Sequence, residues 1–278
     1  MAKKVKLKGH EKFSLREGWL NKGLFGVSQY TKIFTSDNAT DVLGVGTNMV
    51  KSIRYWLQAF ELIDENQDVT EFGKTVLKFD DYFEDDFTLW ILHSKIANNP
   101  EKATSWFLFF NKCRVDEFTK EEMQGLIKRE LFAYAESDKF PDSSINDDLD
   151  VLLNMYSKSK DIDDPEDKSS SPFAVLGILK KDENGYLRKT PVTKRFSEMV
   201  LLYEITRIIG ENEFVSIEKA SETMFSLYHL TKVYVNSMLD ALDDEGYIRV
   251  DRTAGLDMIY MNKTLSPDEV IEEYYKNR

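Results

Sequence analysis

Residues 46–62, GTNMVKSIRYWLQAFEL, constrain the fold more than any other stretch of this chain. Met49, Ile53, Trp56, Leu57 and Phe60 recur at helical spacing and form one apolar face. Thr47, Lys51, Arg54 and Gln58 fall on the opposite face, with Asn48 and Tyr55 at its edges. Upstream, Asp37 and Asn38 can cap a short helix over Ala39–Leu43, and Gly44 can stop it. A helix, a tight glycine turn and a second helix with a basic outer face make the pattern of a helix-turn-helix, whose second helix enters a major groove. Downstream, Leu62 and Ile63 are apolar, residues 64–67 form a polar turn, and an apolar pattern resumes over residues 69–77. Read as a hairpin, this predicts a wing. The pattern alone also fits an ordinary helical hairpin with a solvated outer face.

Charge decides whether such a helix can meet DNA. The chain carries a formal net charge of −12, and a uniform field of that sign repels a polyanion. The distribution is uneven. Residues 1–55 hold ten Lys/Arg against four Asp/Glu, and residues 136–168 hold eleven Asp/Glu against four Lys/Arg. Phosphate binding needs a local basic surface, which the N-terminal part can supply. One cysteine, Cys113, excludes an intrachain disulfide framework. With no apolar run of about 18 residues and no signal peptide, a cytoplasmic protein without a membrane span is expected.

Along the chain, the block GHEKFSLREGWLNKGLFGV sets His10, Lys12, Arg16 and Lys22 among the anchors Phe13, Trp19, Leu20, Leu24 and Phe25. Gly18, Gly23 and Gly26 predict a shaped loop ending in a short helix; a first helix with a frayed entry fits equally well. Helices follow over residues 87–97, 104–110, 119–134 and 145–156, with Thr119 and Glu122 spaced as a capping box. His93 stands in an apolar stretch and reads as a core histidine. Residues 157–171 are nearly devoid of apolar side chains and read as an acidic linker. Beyond it come an Asn184-Gly185 hairpin turn, helices over 196–209, 216–227 and 231–242, and strands over 247–250 and 258–261. Lys232, Asn236, Asp240 and Asp243 are expected on the outer face of the last of these helices, where two carboxylates disfavour phosphate contact.

The expected fold is therefore mainly α with small β wings. It has two winged-helix-like domains, joined through a helical middle segment and an acidic linker, with boundaries at 1–80, 81–157, 158–171 and 172–278. Phosphate-cradling glycine motifs, GxSxG and HExxH spacing are all absent, so the chain carries no motif for nucleotide hydrolysis or serine hydrolase chemistry.

Five blocks occur in order along nearly the whole chain: GHEKFSLREGWLNKGL, DVLGVGTNMVKSIRYWLQAFELI, VTEFGKTVL, NPEKATSWFLFFN and DRTAGLDMIY. Together they resemble the domain-of-unknown-function family encoded beside phosphorothioation-type sulfur genes, which includes the SspB nickases. The matching positions are His10, Glu11, Phe13, Gly18, Trp19, Leu20, Lys22 and Gly23, then Lys51, Arg54 and Tyr55. The resemblance implies a bacterial defence protein that nicks one DNA strand so that sulfur can replace a non-bridging phosphate oxygen. Its partners would be DNA, a cysteine desulfurase, an ATPase and an ATP-pyrophosphatase-like sulfur transferase.

Cleavage of a phosphodiester needs an activated nucleophile and stabilised charge at the phosphate. His10 or Glu11 is the candidate base, or with other carboxylates a ligand of a divalent metal ion, though no metal-ligand set is identifiable. Arg16 and Lys22 are candidates for neutralising the developing charge. DNA contact is expected from Lys12, Thr47, Asn48, Lys51, Arg54 and Tyr55. The same residues also fit a segment that only binds DNA or closes a core. The whole chain would then be a non-catalytic winged-helix regulator or an assembly scaffold.

Overall fold

The glycine-rich block folds as an irregular entry segment that ends in a helix. The structure, a computed structural model describing residues 3–157, 170–192 and 196–278, begins its secondary structure with α1 (Trp19–Gln29), which contains Gly23 and Gly26. A methyl group on Gly23 would stand 2.5 Å from Ile53 Cγ2, and one on Gly26 would stand 3.1 Å from Ile33 Cδ1. The glycines thus let α1 lie close against its neighbours. Burial of Trp19, Leu20 and Leu24 there outweighs the roughly 1 kcal/mol that each glycine costs a helix.

α2 (Ala39–Leu43) and α3 (Thr47–Ala59) form as the periodicity predicts. Gly44 ends α2 in the left-handed region with φ 61°, and its N–H bonds to the Thr40 carbonyl. Asn38 occupies the N-cap position without a side-chain bond. On α3, Val50, Ile53, Trp56 and Leu57 are buried, and Phe60 continues that face past the helix end.

The hairpin expected after α3 is reduced to one antiparallel bridge, Ile63 with Val69. Its second arm is instead helix α4 (Glu71–Phe79). The Thr70 hydroxyl accepts from the Gly73 N–H at 3.0 Å, Glu71 places a carboxylate in the first turn, and Phe72 and Val76 are buried four residues apart. The apolar run of 69–77 therefore follows the helical period and not strand alternation.

Four more helices build the middle of the first unit: α5 (Asp86–Ala97), α6 (Thr104–Asn111), α7 (Lys120–Ala135) and α8 (Asp142–Ser157). The Thr119–Glu122 capping box is formed, Trp106, Phe109 and Phe110 are buried, and His93 Nδ1 lies 2.8 Å from the Tyr156 hydroxyl.

Residues 158–169 of the predicted acidic linker lie outside the described residues, while Ser157 ends α8 and Ser170 and Ser171 are buried. The chain divides into compact units at Met1–Lys189 and Thr190–Arg278. Residues 172–189, expected to open the C-terminal domain, belong to the first unit instead. Phe173 is fully buried there, stacked on Phe60 with ring centroids 5.3 Å apart. The hairpin of β2 (Leu179–Lys181) and β3 (Tyr186–Arg188) pairs with β1 (Glu117–Phe118) in an antiparallel sheet of order β1-β3-β2. Arg188 donates to the carbonyls of Phe109 and Cys113 at 2.7 and 2.8 Å, and burial pulls its pKa down to about 10. These contacts outweigh the composition signal that suggested an earlier boundary.

The second unit runs α9 (Glu198–Ile209), β4 (Phe214–Ser216), α10 (Ile217–Tyr228), α11 (Lys232–Asp244), β5 (Ile248–Asp251), β6 (Met258–Met261) and α12 (Pro267–Lys276). Its antiparallel sheet has the order β4-β6-β5. Leu201, Leu202, Ile205, Met224, Leu239, Leu242 and Ile259 supply the core. Within it, the buried Glu204 carboxylate accepts from Arg207 and, at 2.6 Å, from the Tyr228 hydroxyl. The chain is thus mainly helical, with two small three-stranded antiparallel sheets.

Candidate nucleic-acid interface

The entry segment is held by a buried polar hub. His10 has no solvent exposure, and its Nε2 lies 3.0 Å from Asp148 Oδ1 on α8. The Lys12 N–H donates to Nδ1 at 3.1 Å, so Nε2 carries the proton given to Asp148. Asp148 accepts further bonds from the Lys8 N–H at 2.7 Å and from the Ser105 hydroxyl at 2.6 Å. The His10 ring stacks on Trp56 and meets the edges of Tyr55 and Trp106. His10 is therefore not an accessible base. It anchors the segment 8–12 to α3, α6 and α8.

Sequence reasoning missed Asp148, although a signal was present. Ile145, Asp148, Leu149 and Leu152 share one helical face, so this carboxylate stands in an apolar stripe and needs a buried partner. Tyr55 also departs from expectation. Placed at the edge of the outward face by pattern, it is buried at 7% exposure, and its ring occupies the space beside Gly9. Burial, reinforced by the Asp148 carboxylate, holds its phenol well above the usual tyrosine range.

The lysine-rich start is largely neutralised. Lys4 pairs with Glu101 at 3.4 Å, Lys8 and Lys12 both reach Asp147 at 2.9 and 3.1 Å, and Lys3 sits over the Tyr134 ring. The hydrogen bond from Lys8, then that from Lys12, lowers the Asp147 pKa. Lys12, expected to contact DNA, is thus bound to a carboxylate of its own chain.

Of the other basic side chains in residues 1–55, Lys6, Arg16 and Lys32 lie outside the helices, and Lys22, Lys51 and Arg54 lie on α1 and α3. Thr47, Asn48 and Lys51 are exposed on the first turns of α3, and Arg54 is half-buried one turn further on. Lys22 is exposed on α1, its Nζ beside the Gly44 turn that precedes α3. Among the described residues, Lys22, Lys51 and Arg54 form no ion pair. Arg16 lies over the rings of Phe13 and Trp19, with centroid distances of 5.8 and 5.3 Å, which fixes its guanidinium at the start of α1. Glu11 is exposed, with a positive φ of 51°. The fold therefore brings Lys22 to the turn before α3, keeps Thr47, Asn48, Lys51 and Arg54 on one helix, and withdraws His10 and Tyr55 into the core.

Among the described residues, no group of three or more His, Cys, Asp or Glu side chains is placed to hold a metal ion. The His10–Asp148 pair does not fit one, because both ring nitrogens and both carboxylate oxygens are already hydrogen-bonded. In the second unit, Asp240 is paired with Arg252 at 2.8 Å, and Asp243 accepts from the Val250 N–H. No described helix is long and apolar enough to cross a membrane.

Three comparisons bear on this arrangement. The family described as protein of unknown function (DUF4007) matches residues 7–275. Two SspB crystal structures share the fold. The magnesium ion-bound one has a TM-score of 0.85 at 22% identity and the other 0.84 at 21%, and each alignment covers 99% of this chain and 89% of the other. No curated protein matches the chain.

Proposed function

The chain belongs to the DUF4007 family, and from that membership and the fold shared with SspB we propose a DNA-binding component of a bacterial phosphorothioation defence system that nicks one strand before sulfur is inserted. One observation carries the DNA-binding part. Lys22 and Lys51, exposed around the turn before α3, form no ion pair among the described residues, and half-exposed Arg54 feels Glu65 only at longer range, whereas Lys4, Lys8 and Lys12 are paired. We read α1 to α3 as a helix-turn-helix without a hairpin wing. The order helix, strand, helix, helix, two-stranded hairpin in the second unit supports a winged helix there.

Nicking would fall to groups near that surface. Arg16 and Lys22 would neutralise charge building on the phosphate, and Glu11 is the carboxylate in the entry block free to accept a proton. The proposed partners are DNA, a cysteine desulfurase, an ATPase and an ATP-pyrophosphatase-like sulfur transferase. One observation favours a second reading, a DNA-binding protein without cleavage chemistry: the entry block's histidine, the side chain best suited to proton transfer at neutral pH, is buried and fully bonded.

Purified protein incubated with supercoiled plasmid separates the two. Conversion to open circles at a rate proportional to protein, with and without added Mg²⁺, is expected. A plasmid that is bound but stays supercoiled under both conditions leaves the non-catalytic reading.

A further inference from the structure

The free face of the C-terminal sheet carries an ordered rung of side chains. Strand alternation turns Val215 and Ile259 inward, where they are buried. On the opposite face Phe214 stands directly across from Tyr260, and Tyr260 directly across from Arg249. The rung is pre-assembled: the Phe214 and Tyr260 rings lie 5.8 Å apart, and the Arg249 guanidinium sits 4.3 Å from the Tyr260 ring centroid. Phe214 is 46% exposed and the Arg249 side chain 57%. Aromatic side chains and arginine are enriched among the residues that dominate protein interfaces.

The two edges of this face differ in charge. The β4 edge carries exposed Glu211 and Glu213 beside Phe214. The β5 edge carries Arg249, whose nearest carboxylate, Asp251 at 3.7 Å, already accepts from Thr253. We propose that this face binds a second copy of the chain about a two-fold axis that runs parallel to β6, over Tyr260 and between the two copies. Such an axis sets each β4 edge against the partner copy's β5 edge. Arg249 of each copy then meets the Phe214 ring and Glu213 of the other, which satisfies the rule that a two-fold contact be self-complementary. A polyanion would meet the carboxylate edge unfavourably. The face is narrow, because three strands about 4.8 Å apart span roughly 10 Å. Area is therefore below that of a standard interface, and the association is expected to be weak.

Sedimentation of the full chain at about 150 mM salt, from about 5 to 500 µM, tests this. The mass average should climb from 32.4 kDa toward twice that value. Arg249→Glu and Glu213→Lys should each weaken association tenfold or more, since each places like charges opposite one another. An equimolar mixture of the two variants should associate again, because the mixed pair restores one native and one inverted contact. The recovery also excludes misfolding as the cause of the loss. A mass that stays at 32.4 kDa throughout overturns the proposal. So does self-association unaffected by either substitution, or a mixture that remains monomeric.

Discussion

Three histidines are spread along the chain, and the fold gives each a different task. His93 is bonded to Tyr156 in the core, His229 closes α10 at φ 54°, and His10 ties the entry segment to Asp148. Replacing His10 with alanine leaves Asp148 buried with one acceptor site unfilled. We expect a loss of about 3 kcal/mol in unfolding free energy, measured by urea denaturation, and a loss under about 1 kcal/mol would mean that water or backbone takes over the bond. Cys113 offers a second test. Burial raises its thiol from an ordinary 9.0 to about 11. A thiol reagent at about pH 8 should therefore label the native chain far more slowly than the unfolded one. The sign for stability follows from the raised value: the unfolded thiol ionises first, so native stability falls as pH rises from 9 toward 11. Equal labelling rates in native and unfolded protein would contradict the burial. At this scale the sequence singled out the block but not where its side chains lie. Which side chains of 10–23 face inward depends on Asp148, more than a hundred residues away, and no local pattern contains that contact.

Elements were more legible than residues, for a physical reason. A helix of eleven or more residues repeats its apolar face about three times, so α7 to α11 could be read from periodicity. Strands β1 and β4 have two and three residues, too few to show alternation, and they are fixed by partners distant in sequence. The expected wing failed because the apolar groups of residues 69–77, at 69, 72, 76 and 77, follow the helical period, and the Thr70 cap starts the helix. Two glycines test this element picture with opposite signs. A methyl group on Gly73 would stand 2.3 Å from the Leu62 carbonyl oxygen, so α4 would have to move off the turn. Gly73→Ala should cost about 2–3 kcal/mol. Gly125 lies inside α7 with nothing within 4 Å of the added methyl, so Gly125→Ala should stabilise by about 0.5–1 kcal/mol. Thermal denaturation of both variants checks the pair, and two shifts of the same sign would count against the packing of α4.

For the whole molecule, the question is where a polyanion can approach a chain of net charge −12. The composition placed the basic excess in the first 55 residues, and the structure narrows it, since Lys4, Lys8 and Lys12 are occupied by carboxylates. Lys51→Glu with Arg54→Glu should lower DNA affinity tenfold or more and reduce the salt slope by about one unit per lost phosphate contact. Lys219→Glu with Lys232→Glu, both exposed in the second unit, should change neither quantity. Equal losses from both pairs would make the binding a diffuse charge effect and not the work of α3. Cleavage must then be separated from binding. Lys22 is exposed at the turn before α3, while Arg16 lies over Phe13 and Trp19. Cations placed beside a phosphate before its charge develops can stabilise the transition state more than the ground state. Lys22→Ala and Arg16→Gln should therefore abolish plasmid relaxation while weakening filter-binding affinity only a few-fold on the same preparations. If relaxation and binding decline in parallel, the segment only holds DNA. If neither changes, the chemistry lies outside residues 10–23.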